Sequence, residues 1–156
     1  SNLIAGGFIL NNELTDFSAV PEQDGAPVAN RVWPGKRPLS SMSPTIVYDK
    51  AGKPVFTVGA AGGKTIIMQV TKALIAHLDW GMNARDAIGY GLIYYDRDGL
   101  ILEQGTALEA MQAPLAKIGQ KVRVGRLGLK ANAMEKTAKG WVGAADPRSV
   151  GTALTQ

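Results

Sequence analysis

The chain has 156 residues, no cysteine, one histidine and a formal net charge of +4. Its length suits one domain over residues 1–156, and its ordinary apolar content argues against disorder. The composition excludes disulfides, thiol catalysis and Cys-ligated zinc, and with one histidine a multi-histidine metal site would need another chain.

The first 44 residues contain little periodic structure. Leu3–Leu10 is predicted to be a buried strand with a Gly-Gly bulge, and Asn11–Ser18 to be a polar loop that carries Glu13 and Asp16. Residues 19–44 contain five prolines and almost no periodicity. So long an irregular stretch in a compact domain is usually functional or disordered. It contains the pair Ser40-Ser41, which favours a function.

A hairpin, a glycine turn and a helix are predicted next. Thr45–Tyr48 and Val55–Val58 are short runs typical of strands, and the turn residues 49–52 lie between them. The glycine-rich segment Gly59–Gly63 follows, where the backbone can turn sharply and a ligand can approach the main chain. The helix that begins at Lys64 has free N–H groups at its start, so this segment predicts an anion site.

The rest of the chain predicts alternating helices and hairpins. The helix over Lys64–Trp80 is expected to bury Ile67, Val70, Leu74 and Leu78, with Ile66 and Ala73 beside them. The remaining predicted elements are a helix over Ala84–Ile88 capped by Asn83, strands at Gly91–Tyr95 and Leu100–Leu102, a helix from Thr106 to about Ile118 that contains Pro114, a strand at Gln120–Val124, and a hairpin of Asn132–Lys136 with Trp141–Ala145. This order favours an α+β fold with a largely antiparallel sheet covered by helices.

Two functions are considered for the glycine turn. Gly63-Lys64-Thr65 matches the end of the phosphate-loop pattern G-x-x-x-x-G-K-[ST], and Leu92–Asp96 resembles the strand that carries a magnesium-binding aspartate in such proteins. The loop that starts at Gly59 is one residue too short, and an antiparallel hairpin precedes it. A nucleotide-binding module therefore stays an alternative. The other interpretation is an oxyanion hole, in which the amides of Gly62 and Gly63 stabilise the charge that grows on a carbonyl oxygen during acyl transfer.

Four segments, in order and with similar spacing, resemble the catalytic small subunit of γ-glutamyltranspeptidases. They are NNELTDFS, RPLSSMSPTIV, the Gly-Gly pair and DPRS. The resemblance implies an N-terminal-nucleophile hydrolase, an αββα sandwich of mostly antiparallel sheets, here partial and without its first strands. It also implies cleavage of γ-glutamyl amides such as glutathione through a threonine acyl-enzyme, with no cofactor or metal, in a periplasmic or secreted protein.

The resemblance also implies roles for individual residues. Asp16, with Glu13 beside it, would hold the α-ammonium of a γ-glutamyl group, and Ser40 and Ser41 would donate to its α-carboxylate. Gly62 and Gly63 would form the oxyanion hole. These residue types suit a zwitterionic amino-acid head, which needs acceptors for its ammonium and donors for its carboxylate.

The nucleophile of this family is a threonine upstream of the matched segments. Thr15 falls inside the binding loop and Ser1 falls too late, so we expect a chain that lacks the large subunit and the start of the small subunit, and that is inactive alone. Its expected partners are those missing segments and a γ-glutamyl substrate, not nucleic acid or a membrane. A related acylase that cleaves a β-lactam side chain and an inactive homologue are further alternatives.

Other notable residues are expected to be structural. His77 lies among apolar helix residues without an orienting carboxylate one turn away. Trp33, Trp80 and Trp141 are expected in the core or at an interface. The segment Asp146–Arg148 is expected to form a buried ion pair.

Overall fold

The computed structural model describes residues 3–154 and divides the chain into two compact units, Ser1–Ser40 and Ser41–Gln156. Helices and mostly antiparallel strands occur together, which confirms the predicted fold class. In the described part of the chain, no helix is long and apolar enough to cross a membrane.

The first unit contains two small hairpins and a 3₁₀ turn. Its elements are β1 (Ile4–Ala5), β2 (Phe8–Ile9), the 3₁₀ turn Glu13–Asp16, β3 (Glu22–Gln23) and β4 (Ala26–Pro27). The prediction of one buried strand over Leu3–Leu10 is wrong. Gly6 and Gly7 both have positive φ, 62° and 84°, so the chain reverses and β1 pairs with β2. The side chains of both strands are exposed.

The second unit contains a four-stranded antiparallel sheet. Its strands are β5 (Thr45–Tyr48), β6 (Pro54–Ala61), β10 (Lys130–Thr137) and β11 (Gly140–Ala145), in the spatial order β11-β10-β6-β5. Both predicted hairpins are confirmed. The strand β6 is longer than predicted, because Gly59 pairs with Asn132 and Ala61 pairs with Lys130. The sharp turn therefore starts at Gly62 rather than at Gly59.

A three-stranded sheet completes the strands of this unit within residues 3–154. It consists of β7 (Ile93–Asp96), β8 (Gly99–Glu103) and β9 (Val122–Gly125), with β8 antiparallel to β7 and parallel to β9. The connection from β8 to β9 holds a 3₁₀ segment, Ala107–Met111, and helix α3 (Gln112–Lys117). The predicted helix, in which Pro114 was expected to cause a kink or to move the end, is a 3₁₀ segment followed directly by a short α-helix. Pro114 has no N–H group and lies in the first turn of α3, where that group would be unpaired in any helix.

Two helices pack on the larger sheet and form its core. They are α1 (Ile66–Leu78) and α2 (Ala84–Gly89). The buried core residues are Phe56, Val58, Ile66, Val70, Ala73, Ala84, Ile88, Ala131, Ala133 and Ala144. Asn83 caps α2 as predicted, since its side chain accepts a hydrogen bond from the amide of Asp86 at 2.9 Å.

The predicted buried face of α1 is partly wrong. Ile67 and Leu78 are about half exposed, at 50% and 52%. The side that faces the sheet instead follows Ile66, Val70 and Ala73, at the spacing of one helix face. The buried polar residue Gln69 lies next to that stripe.

The tryptophans were expected in the core or at an interface, and the core alternative is wrong. Trp33, Trp80 and Trp141 are exposed by 59%, 55% and 39%, so none of them belongs to the core. Trp33 and Trp141 contact the cations of Arg31 and Lys136, which suits partly exposed rings.

Candidate active site

The turn between β6 and α1 has a backbone that requires glycine. Gly62 has φ 136° and ψ 19°, and Gly63 has φ 59°. A Cβ atom at Gly62 would lie 2.6 Å from Thr65 Oγ1 and 2.9 Å from Gln69 Nε2. Both the dihedral angles and the lack of space therefore exclude a side chain at Gly62 without a rearrangement.

The amide groups of this turn are available to a ligand. Gly62 and Gly63 are exposed, and within residues 3–154 neither N–H group donates a hydrogen bond to another residue. Gly62 caps and Gly63 begins a 3₁₀ turn, Gly63–Thr65, that continues into α1, and backbone dipoles at the start of a helix favour negative charge. The arrangement suits an oxygen atom with partial negative charge.

A buried polar pair lies directly behind the turn. Thr65 Oγ1 donates to the carbonyl oxygen of Gly62 at 3.0 Å. Gln69 Nε2 donates to the carbonyl oxygen of Ala61 at 2.9 Å and to Thr65 Oγ1 at 3.0 Å. Gln69 Oε1 accepts from the amide of Lys130 on β10 at 3.0 Å. This pair was not predicted from the sequence, although two polar residues four apart beside an apolar stripe could have indicated it.

Glu13 and Asp16 share the 3₁₀ turn of the first unit. Glu13 is half-buried and Asp16 is exposed. The turn is held by its backbone, because Asn30 Nδ2 donates to the carbonyl oxygen of Asp16 at 2.7 Å and the amide of Glu13 donates to Asn11 Oδ1 at 3.0 Å. Among the described residues, neither carboxylate accepts a hydrogen bond, so both can accept one from a ligand.

The serine pair lies where the two units meet in sequence. Ser40 is the last residue of the first unit and is exposed, whereas Ser41 begins the second unit and is half-buried. The carbonyl oxygen of Ser41 accepts from Ser43 Oγ at 3.1 Å. The six predicted residues thus lie in three local pairs, which are Glu13 with Asp16, Ser40 with Ser41, and Gly62 with Gly63.

A buried charge cluster lies elsewhere in the second unit. The guanidinium of Arg148 donates to Asp146 Oδ1 at 3.1 Å and to Glu103 Oε2 at 3.0 Å, and its Nε pairs with Glu103 Oε1. Asp146 Oδ2 also accepts from the amide of Ala131 at 2.9 Å. The predicted ion pair of Asp146 with Arg148 is confirmed, and Glu103 is an additional member that the sequence did not indicate.

Lys72 on α1 also belongs to this cluster, and its ammonium and the guanidinium of Arg148 cap the C-terminal end of α2. Lys72 Nζ donates to the carbonyl oxygens of Ala87, Ile88 and Tyr90 at 3.0, 2.7 and 2.8 Å. Arg148 donates to those of Ile88 and Tyr90 as well. Burial, and then the nearby charge of Arg148, lower the pKa of Lys72 to about 8. Because this cluster connects α1, α2, β8 and the segment after β11, we assign it a structural role.

His77 also has a structural environment. Its ring stacks on Phe56 with centroids 4.1 Å apart, and its Nδ1 lies 2.8 Å from the carbonyl oxygen of Met82. Glu135 Oε2 lies 3.7 Å from the same nitrogen. No cluster of metal-binding side chains is found among residues 3–154.

The surroundings of the glycine turn differ from a phosphate loop. The strand before it, β6, lies between two antiparallel neighbours, β5 and β10. The run Leu92–Asp96, which resembled the magnesium-binding strand, contributes β7 to the other sheet. Nucleotide-binding phosphate loops follow strands of parallel sheets, so the sheet order favours the oxyanion interpretation.

Comparison with known proteins gives a consistent result. The sequence pattern of the family described as Gamma-glutamyltranspeptidase matches residues 1–156. The chain is 37% identical over 163 aligned positions to the glutathione hydrolase proenzyme of Escherichia coli, with 96% of the chain covered. It is 51% identical over 88 residues, 56% of the chain, to the glutathione hydrolase proenzyme of Bacillus subtilis.

A solved structure has the same fold. The γ-glutamyltranspeptidase T380A mutant of Helicobacter pylori superimposes with a TM-score of 0.75 at 32% identity, covering 96% of this chain and 86% of that chain. The curated relatives are much longer than the matched segment. The aligned part corresponds to 27% of the Escherichia coli protein and 14% of the Bacillus subtilis protein.

Proposed function

The chain belongs to the γ-glutamyltranspeptidase family, and on that premise we propose that it is part of an enzyme that cleaves γ-glutamyl amides such as glutathione. The observation that carries the proposal is the pair of exposed amides at Gly62 and Gly63, at a turn whose backbone requires glycine. Their proposed role is the oxyanion hole.

The proposed reaction is acyl transfer through a covalent intermediate. A threonine outside these 156 residues attacks the γ-carbonyl carbon, and its own α-amine takes the hydroxyl proton. The carbonyl oxygen becomes an oxyanion, to which Gly62 and Gly63 donate two hydrogen bonds. The intermediate then expels the amine, which leaves with the proton, and an acyl-enzyme ester remains. Water or the amine of an amino acid attacks this ester and releases glutamate or a new γ-glutamyl compound.

The proposed head-group site explains why the substrate would be a γ-glutamyl group. The carboxylates of Asp16 and Glu13 are assigned to the α-ammonium, and the hydroxyls of Ser40 and Ser41 to the α-carboxylate. A polar site of this kind rejects analogues that lack either charged group, because the bound analogue would displace water from the polar atoms of the site without giving them a partner.

The remainder of the enzyme is proposed to complete the site. Its large subunit and the upstream part of its small subunit are the proposed partners, and a periplasmic or secreted location is proposed from the family. The whole chain, residues 1–156, is proposed to be one portion of the catalytic domain. Alone, it is expected to be inactive, because the proposed nucleophile is not among its residues.

The test uses the complete polypeptide that contains this chain, with γ-glutamyl-4-nitroanilide as substrate. We expect release of nitroaniline, and we expect Asp16→Asn to lower kcat/KM by roughly 10–100-fold, because the hydrogen bond to the ammonium loses its negatively charged acceptor. Glu22→Gln, an exposed acid of the same unit, is the matched control. Equal kinetics of the two variants would contradict the assigned role of Asp16. Binding of ATP with magnesium and no turnover would support the nucleotide-binding alternative.

A further inference from the structure

Gln69 is a fully satisfied polar residue in an apolar layer. Its exposure is 2%, and it lies on α1 beside Ile66, Val70 and Ala73. Its side-chain Nε2 donates to the carbonyl oxygen of Ala61 and to Thr65 Oγ1, and its Oε1 accepts from the backbone N–H of Lys130. A buried side-chain amide without such partners would be costly, so the site is built around this residue.

We propose that Gln69 is a positioning residue for the reaction, which orients the peptide groups of Gly62 and Gly63 toward the oxyanion. This inference rests on the proposed function. It adds a residue that contacts no substrate and acts through the backbone of the turn.

Peptide planarity explains how a side chain behind the turn orients amides in front of it. The carbonyl oxygen of Ala61 and the N–H of Gly62 belong to one peptide group, and in a trans peptide they point in opposite directions. Gln69 holds that oxygen at 2.9 Å, so the N–H of Gly62 is directed away from the helix.

Thr65 does the same for the next peptide group. Its hydroxyl donates to the carbonyl oxygen of Gly62, which shares a peptide plane with the N–H of Gly63. The backbone amide of Thr65 donates to the same oxygen at 3.3 Å. Gln69 donates to the Thr65 hydroxyl oxygen, so it holds the first plane directly and supports the second through the Thr65 side chain. The hydrogen bond from the backbone N–H of Lys130 anchors Gln69 to β10, so the position of the turn is fixed relative to the sheet.

Glycine makes this support necessary. Two successive glycines with positive φ have many accessible backbone conformations, and a misplacement of about 1 Å in a catalytic group can cost 10²-fold in rate. Preorganised donors are effective because they need no reorganisation during the reaction.

The test compares the Gln69→Met variant with the wild type, both as the complete polypeptide. The substrate is γ-glutamyl-4-nitroanilide, and the number of active sites is measured by titration with an acylating γ-glutamyl analogue. We expect kcat per active site to fall about 10–100-fold, with KM changed by less than about threefold. Gln112→Met, an exposed glutamine of α3, is the control and should keep the wild-type kcat.

A second pair of variants tests the same inference if Gln69→Met fails to fold. Thr65→Val removes the hydroxyl at nearly constant volume, and Thr65→Ser keeps it. We expect kcat to fall in Thr65→Val and to be restored in Thr65→Ser. A purely structural role would lower the unfolding temperature and the number of active sites, but leave kcat per site unchanged, and that result would overturn the inference. Absence of turnover in the wild-type enzyme would instead overturn the proposed function, and this inference with it.

Discussion

At Gly62, both the backbone φ angle and the lack of space oppose any side chain. The φ of 136° is one that residues with a Cβ rarely adopt, and the Cβ of alanine would lie 2.6 Å from the Thr65 hydroxyl. A substitution there must shift the peptide groups that carry the proposed oxyanion donors. The neighbouring glycine of the strand, Gly59, has open space where its Cβ would be.

This difference gives a prediction for single residues. Gly62→Ala should lower kcat on γ-glutamyl-4-nitroanilide by roughly 10²–10³-fold, the range found when one oxyanion-hole donor is lost. Gly59→Ala, three residues earlier on β6, should keep the wild-type kcat. Steady-state kinetics of the two folded enzymes, compared with circular dichroism of each, provide the measurement. The account fails at this point if the two variants have equal kcat.

At the scale of elements, α2 depends on its ends. It has six residues, and a helix of this length is not stable alone. Asn83 caps its start, and Lys72 and Arg148 donate hydrogen bonds to carbonyl oxygens at its end. Its buried residues Ala84 and Ile88 belong to the core that packs α1 against the sheet. The caps therefore contribute to the packing of the helix that follows the glycine turn.

The N-terminal cap of α2 can be tested directly. Asn83→Ala removes the acceptor for the amide of Asp86 and should lower the free energy of unfolding by about 1 kcal/mol. Asn83→Ser retains an acceptor at this position and should lose less. Urea unfolding of the complete protein measures both, and equal stability of the alanine and serine variants would be evidence against the cap.

The elements that were predictable from sequence are those set by local chemistry. The hairpin over residues 45–61 follows from β-branched and aromatic runs around a short turn, the hairpin over residues 130–145 turns near Lys139-Gly140, and Asn83 marks the start of α2. The Gly6-Gly7 pair was misjudged as a bulge, because a bulge and a two-residue turn need the same residues and differ only in pairing.

Features that depend on distant pairing were not predictable. Gln69 meets Lys130 across 61 positions, and Arg148 meets Glu103 across 45. The extension of β6 to Ala61 also depends on pairing with β10. The glycines of the candidate site could be found from their own sequence, whereas their support by Gln69 required the fold.

At the scale of the whole molecule, the charge cluster links pH to stability. Lys72 has a pKa of about 8 in the folded protein, compared with an ordinary value of 10.5, because burial and Arg148 disfavour its charged form. Glu103 and Asp146 oppose this shift. Between pH 8 and 10.5 the unfolded chain therefore binds more protons at this group, and its contribution to stability rises with pH.

Lys72→Met should remove that contribution. The free energy of unfolding of the wild type minus that of Lys72→Met is expected to increase as the pH rises from about 8 to 10. Lys117→Met, an exposed lysine at the end of α3, serves as the control. The measurement is urea unfolding at several pH values. A difference that stays constant or decreases over this range would contradict the assigned environment of Lys72.

The central proposal is that the amides of Gly62 and Gly63 receive the γ-carbonyl oxygen of a γ-glutamyl group, and Asp16 is proposed to hold the ammonium of that group. A crystal structure of the complete protein with a γ-glutamyl ligand tests it most directly. The account predicts one γ-oxygen at about 3 Å from both amide nitrogens, and the ammonium at hydrogen-bond distance from the Asp16 carboxylate. A ligand bound in a cavity that touches neither group would contradict it.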